Sequence, residues 1–292
     1  MTILIAGRSG RVAQDLVAAA ERLGVKARAL GRPEFDVTDV GSIARAIAAE
    51  RPRAIINATA VGFFDQAERD PERAFALNRD AAGRLAAAAA EAGIPFLHLS
   101  SDAVFDGEKG SPYTEDDSPA PLSVYGRSKR EGEQAVLTAH PGALVIRTSW
   151  VFGPHGANFL TAMLQQAADK DVVRVVSDQH GTPTAGSDLA RVLFSIATQV
   201  ADKGGEGGIY HVANSGVATW LALAEAIFAG WARRGFRVPT IEPIRLADWP
   251  SPVRRPYFTA LDCRKVARQF GVTLPPWQES LERYLDEMAA SS

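Results

Sequence analysis

Through its first half the chain alternates two kinds of segment. Short runs that are mostly apolar and rich in β-branched residues fall at Ile3–Ala6, Ala27–Leu30, Ala54–Asn57, Phe96–Ser100 and Leu144–Ser149. Runs of this length and character predict strands buried on both faces. Between them, Ala-rich stretches predict helices over Val12–Leu23, over Ser42–Glu50 with Asp39 as its cap, and from about Asn78 to Ala92. A further helix carrying Tyr125 lies between the fourth and fifth strands. Strand–helix alternation predicts a parallel sheet covered on both faces, the doubly wound α/β class. Crossovers in such sheets are right-handed, and ligands sit beyond the carboxyl ends of the strands.

From Val151 onward the alternation loosens, and Gly, Pro, Trp and His become prominent in loops. This predicts a nucleotide-binding domain over residues 1–150 and a smaller, interleaved α/β substrate lobe over 151–292. Gly186–Gln199 is expected to return as a helix of the first domain, so the boundary is approximate.

The candidate chemistry gathers at the predicted strand ends. The first reads Gly7-Arg8-Ser9-Gly10-Arg11-Val12-Ala13. Glycines between a strand and a helix let the backbone turn tightly, approach a pyrophosphate and offer it the helix N-terminus. The second strand ends Leu30-Gly31-Arg32, and Arg8 lies inside the glycine loop. An acidic residue there would bind the ribose 2′-hydroxyl of NAD, whereas arginine suits a 2′-phosphate, so the cofactor expected is NADPH, with NADH open. Two solvated surface arginines are the competing reading.

The third and fourth ends supply Asn57-Ala58-Thr59-Ala60 and Ser100-Ser101-Asp102-Ala103. Ser101 is a candidate donor to a substrate oxygen, although a serine pair after a strand is also an ordinary turn or cap. Tyr125 and Lys129 stand four apart and so share a helix face. A lysine ammonium beside the phenol would favour the phenolate and bring a weak acid closer to work near neutrality. By itself this spacing is common, and an exposed helix with an incidental Tyr and Lys is the alternative. Three strand ends and this helix converging on one rim carry the argument.

Composition narrows the classes. With 46% apolar and 23% charged residues in 292, the chain is an ordinary soluble type, long enough for two joined lobes. A formal net charge of −2 argues against a nucleic-acid or anionic-membrane surface. Thr2–Ala6 is too short for a signal peptide and Leu85–Ala92 too short to span a bilayer, so no membrane partner is expected. Cys263 is the only cysteine, which fits a reducing cytoplasm; the following Arg264-Lys265 could lower its pKa, but a lone cysteine near a helix start is more often structural, and that is the reading expected. The five histidines lack ligand-like spacing, so no metal site is expected. Glu131 and Glu133 are expected on the exposed side of the Tyr125 helix, and Glu115-Asp116-Asp117 in a solvated turn.

Longer segments carry a family likeness. They include the glycine loop, Asp65-Gln66-Ala67-Glu68, Ser101-Asp102 and Pro121-Leu122-Ser123-Val124-Tyr125-Gly126-Arg127-Ser128-Lys129. Arg147-Thr148-Ser149-Trp150-Val151-Phe152-Gly153, Asn158-Phe159, Asp178-Gln179-His180-Gly181-Thr182-Pro183-Thr184, Arg254-Arg255-Pro256 and Pro275-Pro276-Trp277 complete the set. Nearly end to end, the chain resembles the dTDP-4-dehydrorhamnose reductases, extended short-chain dehydrogenases acting on nucleotide sugars.

The resemblance implies a Rossmann-like sheet and NADPH-dependent reduction of the 4-keto group of a nucleoside-diphosphate deoxyhexose. It assigns Ser101, Tyr125 and Lys129 as the catalytic trio. Gly7 to Val12, Arg32, Asp36, Val37 and Ala58 to Ala60 fall on the cofactor side, with Tyr125 and Lys129 also touching it. Asp102, Ala103, Trp150, Arg254 and Arg255 fall on the substrate side. The partner implied is a nucleotide sugar, and a homodimer stays open. The chain departs from the family at Ala103, usually tyrosine, at Ser101, usually threonine, and at Val61-Gly62-Phe63-Phe64, usually more polar. Two alternatives therefore stand. One is a non-catalytic NADP(H)-binding regulator similar to the regulatory subunit of methionine adenosyltransferase. The other is a nucleotide-sugar epimerase, which would recycle its cofactor.

Overall fold

In the computed structural model, residues 2–251 and 253–290 are described, so the outermost ends of the two expected lobes, Met1, Ser291 and Ser292, lie outside the described residues. The apolar runs become β1 (Ile3–Ala6), β2 (Ala27–Leu30), β3 (Ala54–Asn57), β4 (Phe96–Ser101) and β5 (Leu144–Thr148). All are parallel, and Gly208–His211 adds a sixth strand beside β5. That sixth strand was not legible, because Gly-Ile-Tyr-His is too short and mixed to show a period of two. The order is Gly208–His211, β5, β4, β3, β1, β2. The chain thus reverses its direction of travel across the sheet at β1 and β3, which is where a crevice opens in doubly wound sheets.

Helix α1 (Arg11–Leu23) and the helix Gly186–Lys203 cover one face, burying Leu16, Leu189, Leu193 and Ile196 against Ile3, Ile5, Leu97 and Ile146. Helix α2 (Val40–Glu50), the helix Ala82–Glu91 and the helix Val124–Ala139 cover the other, with Ile43, Leu85 and Val136 against Leu4, Ile55 and Val145. Asp39 caps α2 by accepting from the Gly41 N–H at 2.8 Å. A separate apolar cluster forms in the second half, where Phe152, Leu160, Ile227, Trp277 and Tyr284 meet. The C-terminal helix Trp277–Ala289 ties it back, its Tyr284 hydroxyl accepting from the Ser187 N–H at 2.7 Å. Among the described residues no helix is long and apolar enough to cross a membrane.

The expected helix from Asn78 starts earlier and is not uniform. Short helices Phe64–Arg69 and Pro71–Phe75 lead into a π-helical turn, Ala76–Ala81, and only then into Ala82–Glu91. Asn78, buried in that turn, accepts from Val61 N–H at 2.8 Å and donates to Val61 O at 3.2 Å and Ser128 Oγ at 2.9 Å. The wider turn thus spends one side chain on pinning the loop after β3 to the helix Val124–Ala139.

That helix approaches its neighbours closely at two glycines. A Cβ on Gly126 would sit 2.2 Å from the Ala103 carbonyl oxygen, and one on Gly132 would sit 2.1 Å from that of Asn78. Backbone cannot retreat as a flexible side chain does, so Gly132→Ala should destabilise by about 1–3 kcal/mol or more. Thermal unfolding checks this; an unchanged melting temperature would show that the two segments part at no cost.

Candidate active site

The turn after β1 is built around Gly7, whose φ of +108° is open to glycine alone and whose N–H donates to Leu30 O at 2.8 Å. A Cβ there would also meet the Ala58 carbonyl at 3.4 Å. Gly10 is the N-cap of α1 with φ −72°, so its backbone does not require glycine. Ser9 is exposed, whereas the Val12 side chain packs into the core and leaves only its backbone to the loop. Arg8 and Arg32 do meet: Arg8 Nη2 donates to Arg32 O at 3.0 Å, and Arg8 Nη1 pairs with Glu34 at 3.1 Å. With Ser9, Gly31 and Pro33 they line a cleft of about 470 Å³.

Asp36 accepts from Thr38 N–H at 2.9 Å and Thr38 Oγ1 at 2.7 Å, which holds its carboxyl below the usual range. Val37 beside it is buried. Past β3, Thr59 is fixed by Asn57 Oδ1, and Ala58 and Thr59 are half-buried while Ala60 is exposed. Arg11 leaves the loop and leans over the Phe63 ring, 5.0 Å from its centroid.

The helix carrying Tyr125 is capped twice, by Ser123 Oγ on Gly126 N–H at 3.1 Å and by Glu68 Oε1 on Val124 N–H at 2.7 Å. Tyr125 is set deep but keeps a face open, with the Phe64 ring 5.1 Å away. Burial raises its pKa and Asp102's charge adds to this, while a hydrogen bond with Ser101 and the Arg11 charge act the other way. The expected help from Lys129 is not what acts on the phenol. Lys129 Nζ donates to Leu99 O at 2.6 Å, and burial depresses its pKa to about 8 against the opposing charge of Glu133. The cation that reaches the phenol is Arg11.

Glu133 is a second correction. It is fully buried, not solvated, because Arg147 of β5 meets it with two bonds of 2.7 and 2.8 Å. Ser100 Oγ donates to the same carboxylate at 2.7 Å, and Arg130 adds a contact at 3.2 Å. Glu131 is partly buried with Arg79 at 2.9 Å. In the acidic turn only Asp116 is exposed, and Glu115 accepts from His211 N–H at 2.8 Å. The Cys263 thiol is buried, as a structural cysteine would be: burial pushes it up to about 12, and the adjacent Arg264 pairs with Asp262.

Ser101 ends β4 and Asp102 starts the 3-10 turn after it, both buried, and Ala103 is buried with its carbonyl against Gly126. Trp150, at φ +45°, stacks on Trp220 with centroids 3.6 Å apart, over Gly181, where a Cβ would lie 2.4 Å from the ring. Arg255 lies 4.9 Å over the Phe64 ring and 3.6 Å from Asp65, so Phe64 bridges it to Tyr125. Arg254 is exposed. Both arginines line a cleft of about 400 Å³ with Asp106, Glu108, Trp249 and Tyr257.

Sequence reasoning overlooked Glu68, Asn78 and Thr259 as neighbours of the site, and it placed Arg11 with the glycine loop without expecting its charge to act on Tyr125. Glu68 lay in a quoted segment, but nothing local told that it would cap a helix 56 positions on. Thr259 carried no signal.

Sheet and rim together define a doubly wound α/β protein with a Tyr–Lys helix at the carboxyl edge. The chain belongs to the family described as RmlD substrate binding domain, which matches residues 1–290. A dTDP-4-dehydrorhamnose reductase of Sinorhizobium fredii is 41% identical over 97% of this chain and 96% of its own length. Among solved structures, dTDP-4-dehydrorhamnose reductase from Bacillus anthracis in complex with NADP has a TM-score of 0.90 at 28% identity, covering 98% of this chain and 99% of that one. The Clostridium acetobutylicum ortholog has a TM-score of 0.90 at 32% identity, covering 99% of both.

One buried group near the glycine loop sets a pH dependence. Asp15 of α1 lies against Gly186 and is raised to about 7 by burial, with Arg11 and Arg22 opposing. Between about pH 4 and 7 the folded chain therefore holds a proton that the unfolded chain releases, so stability falls as pH rises through that window. Asp15→Asn should be more stable than wild type at pH 8, by at most about 4 kcal/mol, with the advantage gone near pH 4. Urea unfolding at the two pH values measures it; a pH-independent difference would contradict the shift.

Proposed function

We propose that this protein is a dTDP-4-dehydrorhamnose reductase-like enzyme that reduces the 4-keto group of a nucleoside-diphosphate deoxyhexose with NADPH. The single observation that carries the reading is the convergence of Ser101, Tyr125 and Lys129 at the carboxyl rim, between the glycine loop and the arginine-lined cleft. The cradle fits a dinucleotide: Gly7 offers the backbone approach, and Arg8 and Arg32 stand together over a cleft, as a 2′-phosphate needs. Gly7 to Val12, Asp36, Val37 and Ala58 to Ala60 would hold the rest. When bound, the cofactor supplies the hydride.

The chain's own residues do the remainder. Ser101 hydrogen-bonds the substrate carbonyl and Tyr125 gives the proton. A phenol whose pKa is raised by burial stays protonated near neutrality, which suits a donor in the reducing direction. Lys129 keeps further N–H groups beyond the one on Leu99 and holds the ribose. Arg255, with Arg254 at the mouth, clamps the pyrophosphate by charge-assisted bonds, and Trp150 faces the sugar. Ala103 and the two phenylalanines Phe63 and Phe64 give a drier pocket than the family's usual tyrosine would. In this reading residues 1–150 with about 186–200 bind cofactor, residues 151–292 mainly bind substrate, and the enzyme works in the cytoplasm.

Net NADPH oxidation against a panel of nucleoside-diphosphate 4-keto sugars tests the activity. Absence of turnover with all of them favours the regulatory alternative, and conversion without NADPH consumption favours an epimerase. Tyr125→Phe should cut turnover by about 10²–10⁴ while leaving NADPH affinity intact. Retention of more than half the rate would mean another group donates the proton. Arg32→Ala should weaken NADPH about tenfold or more and barely touch NADH, since a lost charge-assisted bond to phosphate costs about 1.5–3 kcal/mol. Equal weakening of both cofactors, measured by fluorescence titration, would show that Arg32 only supports the loop.

A further inference from the structure

We propose that Asp102 is a positioning residue that couples the strap of residues 253–259, which carries Arg254 and Arg255, to the hydroxyl of Ser101, a role that rests on the reading of Ser101 given above. Its carboxylate is buried and receives hydroxyls from separate segments. Ser101 Oγ donates to Oδ1 at 3.0 Å, whereas Ser149 Oγ and Thr259 Oγ1 donate to Oδ2 at 2.8 and 2.6 Å. Ser149 ends the β5 side of the rim and precedes Trp150; Thr259 lies four positions after Arg255. Asp102 is therefore where strand ends and strap are tied together.

The tie closes into a circuit. Trp150 stacks on Trp220, whose Nε1 donates to Gln179 Oε1 at 2.9 Å. Gln179 Nε2 in turn donates to Pro256 O at 2.9 Å, on the strap itself. The strap also pairs with its neighbour, His180 N–H donating to Tyr257 O at 2.7 Å and Thr259 N–H to His180 O at 2.9 Å. It lies directly on Gly107, where a Cβ would come within 2.6 Å of Pro256 and 2.7 Å of the Tyr257 nitrogen. Movement of the strap cannot leave Thr259, and hence Asp102, undisturbed.

The chemical consequence follows from counting protons. Burial raises the Asp102 pKa, and the hydroxyls of Thr259, Ser149 and Ser101 oppose this by favouring the charged form; in that ionised form the carboxylate only accepts, so each hydroxyl on it must donate. Ser101 has one proton, committed to Asp102 Oδ1, while its oxygen accepts from Ala103 N–H at 3.1 Å and faces the Tyr125 hydroxyl. To donate to a substrate carbonyl, Ser101 must turn away from Oδ1. A buried carboxylate tolerates that release only while its other donors stay in place. Thr259 supplies one of them when the strap is seated, so seating the strap frees Ser101 to donate.

The test uses Thr259→Val, which keeps the shape and removes the hydroxyl, with Thr259→Ser as the rescue. In the kinetic arm, Thr259→Val should lower kcat about tenfold with KM and NADPH affinity within about twofold of wild type, and Thr259→Ser should restore kcat. In an Asp102→Asn background the amide N–H₂ can donate to Ser101 Oγ, so Thr259→Val should there lower kcat no further. In the exchange arm, which needs no turnover, Thr259→Val should speed hydrogen exchange at the Thr259 and His180 amides at least about fivefold, and Thr259→Ser should not. Unchanged exchange overturns the tie whatever the activity. Faster exchange with kcat unaltered, or an undiminished loss in the Asp102→Asn background, overturns the coupling to Ser101. If wild type turns over none of the sugars, the functional reading fails separately, and the exchange arm alone decides whether Asp102 holds the strap.

Discussion

Two carbonyl oxygens fill the space where side chains of the Tyr125 helix would otherwise stand. Ala103 O lies against Gly126 and Asn78 O against Gly132, each too close for a Cβ. Because the helix can sit this near, Tyr125 reaches Ser101 at the end of β4, and Ser128 reaches Asn78. The π-helical turn at Ala76–Ala81 has meaning only in this context, since it presents Asn78 to both the Val61 loop and the helix. Capping by Ser123 and Glu68 then fixes where the helix starts, and so which residue faces the rim.

Electrostatics at the rim follow from what is buried with what. The Glu133–Arg147 pair is dry on both sides; Arg147 and Ser100 both donate to the carboxylate, while Arg147 Nη1 is buried without a hydrogen-bond partner. Removing either partner would strand the other, which is far costlier than the pair is stabilising. This pair locks the helix to β4 and β5, directly behind Lys129, whose pKa burial lowers to about 8. On the open side, Arg11 and Asp102 pull the Tyr125 phenol in opposite directions, and burial decides the sign. Arg11 follows the glycine loop and Asp102 is bonded by Thr259 of the strap, so both halves of the chain bear on one proton.

The second half matters less as a separate body than as the source of what closes the rim. Arg255, stacked on Phe64 and close to Asp65, brings a cation beside the tyrosine's aromatic neighbour. Trp150 takes a left-handed backbone to stack on Trp220, an arrangement that the glycine at 181 allows. The helix Gly186–Lys203 meanwhile packs with α1, its first glycine making room for Asp15.

Strand positions and fold class were legible because they depend on short-range pattern: Ile3–Ala6, Ala27–Leu30 and Ala54–Asn57 stand where the apolar runs fall. The glycine loop and the Tyr–Lys spacing were equally legible, since strand-to-helix turns and helix faces are set within a few residues. What lay beyond the sequence was every feature resting on a distant partner. Glu133 reads as a polar helix residue and becomes a buried anion only because Arg147 arrives from β5. Lys129 reads as tyrosine's neighbour, yet it donates one N–H to the Leu99 carbonyl, and the cation acting on the phenol is Arg11. Cys263 has cations beside it in the sequence, and only the fold shows that burial pushes its thiol up. Charge, protonation and hydrogen-bond direction depend on solvent exclusion and on contacts across the whole chain, and only tertiary packing decides those.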